Sequence, residues 1–279
     1  MKRLIINADD FGSHVLVNRA VAEAVEHGAL RSTTLMAGGD AFDDAIRTAH
    51  EHSALGIGIH LTLVRGRPVL PPDEIPTLVK ADGMLEDDYG TFMKKYLRCA
   101  ISLDDVRREL AAQIRKAQSA ITLTHFDSHQ HMHVLPGILG TVLDLARDAH
   151  LTAMRVPSAP VLLGSTTHSL GQLIGRTGLL MLAEVARFRA KRRNIKTPEH
   201  FRGIVAGEAV SEDYMLYVAE NLDGGTTEVM VHPGTDNGVL QKASDWDHDF
   251  EKELRAITSP RVLATIKARG IELANFGAL

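Results

Sequence analysis

Apolar runs without alternation and stretches of helical spacing follow one another along most of the chain. Residues 3–8, Arg3-Leu4-Ile5-Ile6-Asn7-Ala8, form such a run, the pattern of a strand covered on both faces, and it ends at Asp9-Asp10-Phe11-Gly12. Helical spacing then predicts a helix over 18–27, with Val17, Ala20, Val21, Ala24 and Val25 on one stripe and Gly28 as its terminator. Residues 33–36 read as a second strand, 41–51 as a second helix, and 55–61 as a third strand whose glycines allow tight packing and which ends in His60. Pro68, Pro71, Pro72, Pro76 and Gly83 break the rhythm over 62–101, an excursion across one face of the sheet.

Ser102 and Asp105 cap a helix predicted over 106–119, which leads into the run Ile121-Thr122-Leu123-Thr124-His125-Phe126. If that run is a strand, alternation sets His125, Asp127 and His129 on one side before Pro136 opens the next helix, 137–149. A strand over 153–156 is stopped by Pro157, and 158–200 form a second excursion with the cluster Leu179 to Leu182 and the basic tail Arg187, Arg189, Lys191, Arg192 and Arg193. Strands over 201–205 and 227–232, helices over 212–221 and near 250–257, a last helix opened by Ser259-Pro260 and closed by Gly270, and a final strand over 271–275 complete the chain. Strands that alternate with helices imply a parallel sheet, and seven to eight such units predict closure into an α/β fold, a distorted (β/α) barrel with long inserted loops. A doubly wound open sheet is the alternative.

Composition narrows this picture. At 279 residues with 44% hydrophobic content the chain fits one barrel-sized domain over 1–279, since such barrels run to about 250 residues. The net charge of −4 gives no general attraction to nucleic acid. Cys99 stands alone, no apolar run is long enough for a signal peptide or a spanning helix, and a cytoplasmic location is the expectation.

The chemistry concentrates at predicted strand ends, where barrels carry their sites. Four of the fourteen histidines fall within residues 125–133, a density that a divalent cation explains better than a solvated loop does. Asp10, His60 and His129 are the expected metal ligands: two imidazoles and a carboxylate leave coordination positions open, as a catalytic site requires. A divalent ion held there lowers the pKa of its water to about 7 and polarises a carbonyl, so amide or ester hydrolysis is the natural output. Asp9 is the expected general base, His232 the acid that protonates a leaving amine, and Arg155 the cation that keeps Asp9 ionised. Asp127 is expected to orient His60 or His129, with His131 and His133 in supporting positions. Each has a blander reading: Asp10 as a helix cap, Asp9 as a loop carboxylate, His60 as a satisfied histidine at a sheet edge, Arg155 and His232 as hydrogen-bond partners.

The blocks Asn7-Ala8-Asp9-Asp10-Phe11-Gly12, Gly56-Ile57-Gly58-Ile59-His60-Leu61-Thr62, residues 124–133, His232-Pro233-Gly234 and Thr258-Ser259-Pro260 occur in the order found in the YdjC-like carbohydrate deacetylases, and the chain resembles that family over essentially its whole length. The resemblance implies a distorted (β/α) barrel, a divalent metal, magnesium or zinc, and removal of acetyl from an N-acetylated sugar. Asp10, His60 and His129 match its metal positions and Asp9 its base. Gln130 stands where many relatives have another histidine, which favours His129 as ligand. The partners to expect are an N-acetylated oligosaccharide or a glycolipid headgroup, as in relatives acting on hopanoid lipids, with peripheral membrane contact through 179–193, no nucleic acid, and pairing into a homodimer. The rivals are a hydrolase of another substrate class and a sugar-binding relative with a dead site.

Overall fold

The computed structural model describes residues 1–158, 170–204 and 209–279. The chain runs through β1 (Lys2–Phe11), α1 (Val15–His27), β2 (Ser32–Leu35), α2 (Phe42–Glu51) and β3 (Gly56–Leu61). A long excursion holding α3 (Tyr89–Leu97) leads to α4 (Leu103–Ala120), β4 (Phe126–Ser128) and α5 (Ile138–Asp148). Then come α6 (Leu170–Lys191), β5 (His200–Arg202), α7 (Glu212–Glu220), β6 (Gly225–Val231), α8 (Asn237–Ser244), α9 (Phe250–Thr258), α10 (Pro260–Ala268) and β7 (Glu272–Leu273).

The strands pair in parallel in the order β4-β3-β2-β1-β6-β5, and β7 adds to the start of β1. Alternation sorts their side chains onto two very different faces. Leu4, Ile6 and Ala8 of β1, Ile57, Ile59 and Leu61 of β3, and Val229 and Val231 of β6 join one apolar cluster with Ala20 and Val21 of α1 and Leu110 and Ile114 of α4. Asn7, Asp9, Thr34, His60, Asp127, Arg155 and Glu228 are buried as well, linked to one another by hydrogen bonds and ion pairs. An apolar face under the helices and a polar interior is the arrangement of a barrel, whereas a doubly wound sheet would bury apolar side chains on both faces.

Closure is loose. Single parallel bridges, Phe126 to Met154 and Ala153 to Lys196, carry the sheet from β4 toward the run that enters β5. The strand predicted over 153–156 is therefore two isolated bridges. The base of the interior is plugged by Ile5, Ala153, Ala274 and Phe276. His125 stacks on the Phe276 ring at 3.7 Å and 6° between planes. A Cβ on Gly58 would stand 2.5 Å from His125 Cε1, so the predicted tight packing of β3 is a requirement for this ring.

Several boundaries differ from the sequence reading. The run 121–126 contributes only its last residue to a strand, because Ile121 caps α4 through its N–H to Ala117 O, and Thr124 and His125 reach β3 by single hydrogen bonds without a ladder. The strand predicted over 201–205 is β5, and its expected end at Val205 lies outside the described residues. Helices α3 and α8 were not legible: each is short, is capped by an aspartate (Asp88, Asp236), and buries one residue, Phe92 or Leu240. Among the described residues no helix is long and apolar enough to cross a membrane.

Candidate active site

Parallel pairing in register brings the C-terminal strand ends to one rim: His60 faces Asp127 across β3 and β4, and Ala8 faces Val231 across β1 and β6. Consecutive residues of a regular strand point to opposite faces, so Asp9 and Asp10 could not both serve one site from regular β1. A register shift between Ala8 and Phe11, with Asp10 at φ +62°, solves this. The bulge turns the Asp10 carboxylate back over the rim, and aspartate tolerates the left-handed conformation better than most residues. Asp10 is thus not a helix cap; the His14 side chain caps α1.

Asp10 Oδ1 lies 3.3 Å from His60 Nε2 and 3.1 Å from His129 Nδ1, and one ligand atom from each residue falls within 4.8 Å of the others. Burial works to raise the Asp10 carboxyl, but the imidazoles of His129 and His60 outweigh it and hold the group well below the usual carboxylate range. Burial by itself would lower His60, yet Asp127 and Asp10 raise it well above its ordinary value. The carboxylates that draw a proton onto this ring would equally draw a cation. His60 Nδ1 meets Asp127 Oδ1 at 2.7 Å, which turns Nε2 toward Asp10, and His129 Nε2 is buried without a hydrogen-bond partner among the described residues. An acceptor-oriented imidazole, a second imidazole with an unused nitrogen and an ionised carboxylate fit a divalent metal. Asp9, His60 and Asp127 also lie within ligand reach of one another, but Arg155 already occupies both of those carboxylates.

Behind this triple lies a fully buried ionic cluster. Arg155 donates from two nitrogens to the two Asp9 oxygens, from the first of these also to Asp127 Oδ2, and from Nε to Glu228 Oε1, each at 2.6 Å. Burial pushes the Glu228 carboxyl up to about 7 although Arg155 pulls it down. Asn7 Nδ2 donates to Asp9 Oδ1 at 2.9 Å and to Thr34 Oγ1 at 3.2 Å, and Ser32 Oγ donates to Asn7 Oδ1. Asp9 Oδ1 therefore accepts two hydrogen bonds. Among the described residues Oδ2 accepts one and keeps a lone pair free on the side of His232, whose Nε2 is 3.9 Å away. Arg155 does not reach the rim and acts through Asp9.

The rim opens into a cleft of about 730 Å³ lined by Asp9, Asp10, His60, His129 and His232, with walls from the 62–101 excursion (Arg65, Arg67, Met84) and from the 240–246 segment, including Trp246. Arg65 ties these walls together by donating to Asp87 O and Ser244 O. Gln130 and His131 adopt φ +54° and +55° as the chain leaves β4. His133 turns away from the rim, with Nδ1 on Ser128 Oγ at 2.7 Å and Nε2 on Arg155 O at 3.1 Å, so it supports the backbone that carries Arg155. His125, expected on the same side as Asp127 and His129, is there but one layer deeper, at the plug. Sequence reasoning missed Asn7, Glu228, Glu253 and Trp246. Polar residues inside strands otherwise apolar are the signal for the first two, since burial has to be met by partners.

The family described as YdjC-like protein matches residues 3–268. The chain is 30% identical over 279 residues to a carbohydrate deacetylase of Clostridium beijerinckii, covering 98% of each chain. It is 29% identical to a carbohydrate deacetylase of Thermoanaerobacter pseudethanolicus over the full length of both. Among solved structures it is similar to an Enterococcus faecalis protein described as a cellobiose-phosphate cleavage protein, with 29% identity, a TM-score of 0.78, and 99% and 98% of the two chains covered.

Proposed function

Because this chain belongs to the YdjC-like family, we propose that residues 1–279 form one deacetylase domain that hydrolyses the acetamide of an N-acetylated sugar, releasing acetate and a free amine. The observation that carries this reading is the meeting, at one rim, of the triple Asp10, His60 and His129 with the separately held pair Asp9 and His232. The named activity of the deacetylase relatives agrees with it.

Asp10, His60 and His129 would hold the divalent ion, zinc or magnesium. When bound, such an ion polarises the amide carbonyl and acidifies water. Asp9 accepts the proton of the attacking water on Oδ2, the oxygen left with a lone pair among the described residues, while Arg155 grips both carboxylate oxygens and Asn7 fixes its plane. His232 donates a proton from Nε2 to the sugar nitrogen as the C–N bond breaks. The new C–O bond and the departing amine are thus served by two groups 3.9 Å apart. The cleft volume suits a sugar of more than one ring, and Trp246 in its wall offers an aromatic face for stacking.

The deciding experiment is acetate release from N-acetylglucosamine oligomers with and without chelator. Release that chelator abolishes and added metal restores supports the reading. No release from any N-acetylated sugar, with the metal in place, removes it in favour of a hydrolase of another substrate.

A lipid-linked sugar as substrate has one observation in its favour. On α6, Met181, Val185 and Phe188 recur on one face and are exposed at 67%, 52% and 61%, beside the cations Arg189, Lys191, Arg192 and Arg193. Leu182, Ala183, Ala186 and Ala190 pack inward. An apolar stripe bordered by basic residues matches an anionic membrane surface, where a glycolipid headgroup, hopanoid or other, would be presented.

A further inference from the structure

Beside the proposed catalytic rim is a second group of metal-ligand type. Glu253, in the first turn of α9, is 2% exposed, and its Oε1 accepts the Val210 N–H at 2.8 Å while Oε2 accepts the His232 N–H. His248, six per cent exposed, directs Nε2 to within 3.2 Å of Glu253 Oε1, yet that nitrogen has no hydrogen-bond partner among the described residues. His232 Nδ1 approaches Glu253 Oε2 at 4.0 Å from the other side. One ligand atom from each of the three lies within 4.8 Å of the others.

We propose that His232, His248 and Glu253 form a second divalent-cation site, of zinc type, whose occupation takes His232 out of use as an acid. Two imidazole nitrogens and a carboxylate oxygen are a zinc donor set with a position left for water. Donors about 2.1 Å from a tetrahedral zinc stand roughly 3.4 Å apart, so His248 and Glu253 are already at ligand spacing and a turn of the His232 ring closes the rest. A buried carboxylate and an orphaned buried nitrogen both carry desolvation costs that one cation offsets. Access is through the cleft, which His232 and Trp246 line.

The consequence follows from the two nitrogens of one ring. His232 Nε2 faces Asp9 and Nδ1 faces Glu253. An imidazole coordinated through Nδ1 cannot become the imidazolium that protonates an amine, so excess metal would inhibit. This consequence rests on the role proposed for His232; the site itself does not.

Trp246 provides the readout, being the only tryptophan of the chain, stacked on His248 at 4.0 Å and edge-on to His232 at 5.0 Å. Metal-stripped protein is titrated with zinc chloride, following bound equivalents by calorimetry and Trp246 emission in parallel. Wild type is expected to take two equivalents, the weaker of which shifts the emission. His248→Phe, which keeps a ring against Trp246, and His248→Gln should both lose that equivalent, with affinity falling by at least the roughly 100-fold that loss of even an outer partner can cost. Asp10→Asn should keep it and lose the other. An emission shift that survives in both His248 variants, or a single equivalent lost only in Asp10→Asn, overturns the second site and leaves the first standing. A single equivalent lost only in the His248 variants keeps the second site and removes the first.

Discussion

Asp127 presents Oδ1 to His60 Nδ1 at 2.7 Å and Oδ2 to Arg155 at 2.6 Å, so one buried carboxylate fixes both the ring proposed to bind metal and the guanidinium that clamps Asp9. Its negative charge stabilises the His60 tautomer that carries the proton on Nδ1 and leaves Nε2 to face Asp10. Asp127→Asn keeps the shape and removes the charge. Divalent-ion affinity should fall about 10–100-fold, the usual cost of losing a ligand's outer partner. Calorimetry with zinc measures it, and unchanged affinity would show that packing alone orients the ring.

Asp9 is held by Arg155 and Asn7 and stands outside the ligand triple. Asp9→Asn should therefore lower turnover by about 10²–10⁴-fold, the contribution of a positioned base, while leaving metal content nearly unchanged. Acetate release and elemental analysis on the same preparation check both halves. Full activity in Asp9→Asn removes the base assignment.

Arg155 is the only cation among three buried carboxylates, Asp9, Asp127 and Glu228, within the described cluster. Removing one partner of a buried ionic group leaves the rest uncompensated, at about 3–5 kcal/mol. Arg155→Met should cost about that much in urea denaturation. Arg155→Lys should recover little, since one ammonium cannot replace three nitrogens aimed at three carboxyl groups. A midpoint within error of wild type for Arg155→Met would mean the carboxyl groups simply take up protons.

Much of this site was readable from residue order because strand ends collect at one rim in any parallel barrel. Asp10, His60, His129 and His232 needed only that rule. What could not be read was side-chain direction. Asp10 reaches the rim through a bulge with φ +62°, and nothing in Asn7-Ala8-Asp9-Asp10 announces the extra twist. His125 and His129 share a side, as alternation required, but the depth of His125 depends on Gly58 and on Phe276, each more than 60 residues away. Glu253 was hidden for a different reason: an acid in the first turn of a helix is ordinary, and its burial against His232 is a tertiary fact.

The exposed stripe on α6 gives a membrane prediction. Sedimentation with anionic vesicles should be measurable for wild type and should drop when Arg189, Lys191, Arg192 and Arg193 are replaced by glutamine, each basic residue near the surface contributing about 1 kcal/mol. Phe188→Ser should weaken binding further by removing the most apolar exposed group of the stripe. Equal sedimentation of all three proteins would dismiss lipid contact.

Stability should fall in acid through histidines kept neutral by burial. Burial lowers His125 from 6.5 to about 3 and His133 to about 4. Below 6.5 the unfolded chain takes up protons that these folded rings refuse. Each ring thus costs stability as pH falls, by up to about 1.4 kcal/mol per pH unit, until its folded pKa is reached. Glu228 has the opposite sign: its folded pKa, about 7, lies above the ordinary 4.5, so it gains stability as pH drops between those values. Burial also holds His131 well below its ordinary value, so between 4.5 and 6.5 Glu228 offsets roughly one of three histidines and stability falls as pH drops. His125→Phe keeps the ring on Phe276 and removes one titration, so its urea midpoint should decline less steeply than that of wild type across pH 6.5 to 4.5. Parallel pH profiles for the two proteins would show that His125 is protonated in the folded state, and that the plug at the base of the barrel admits water.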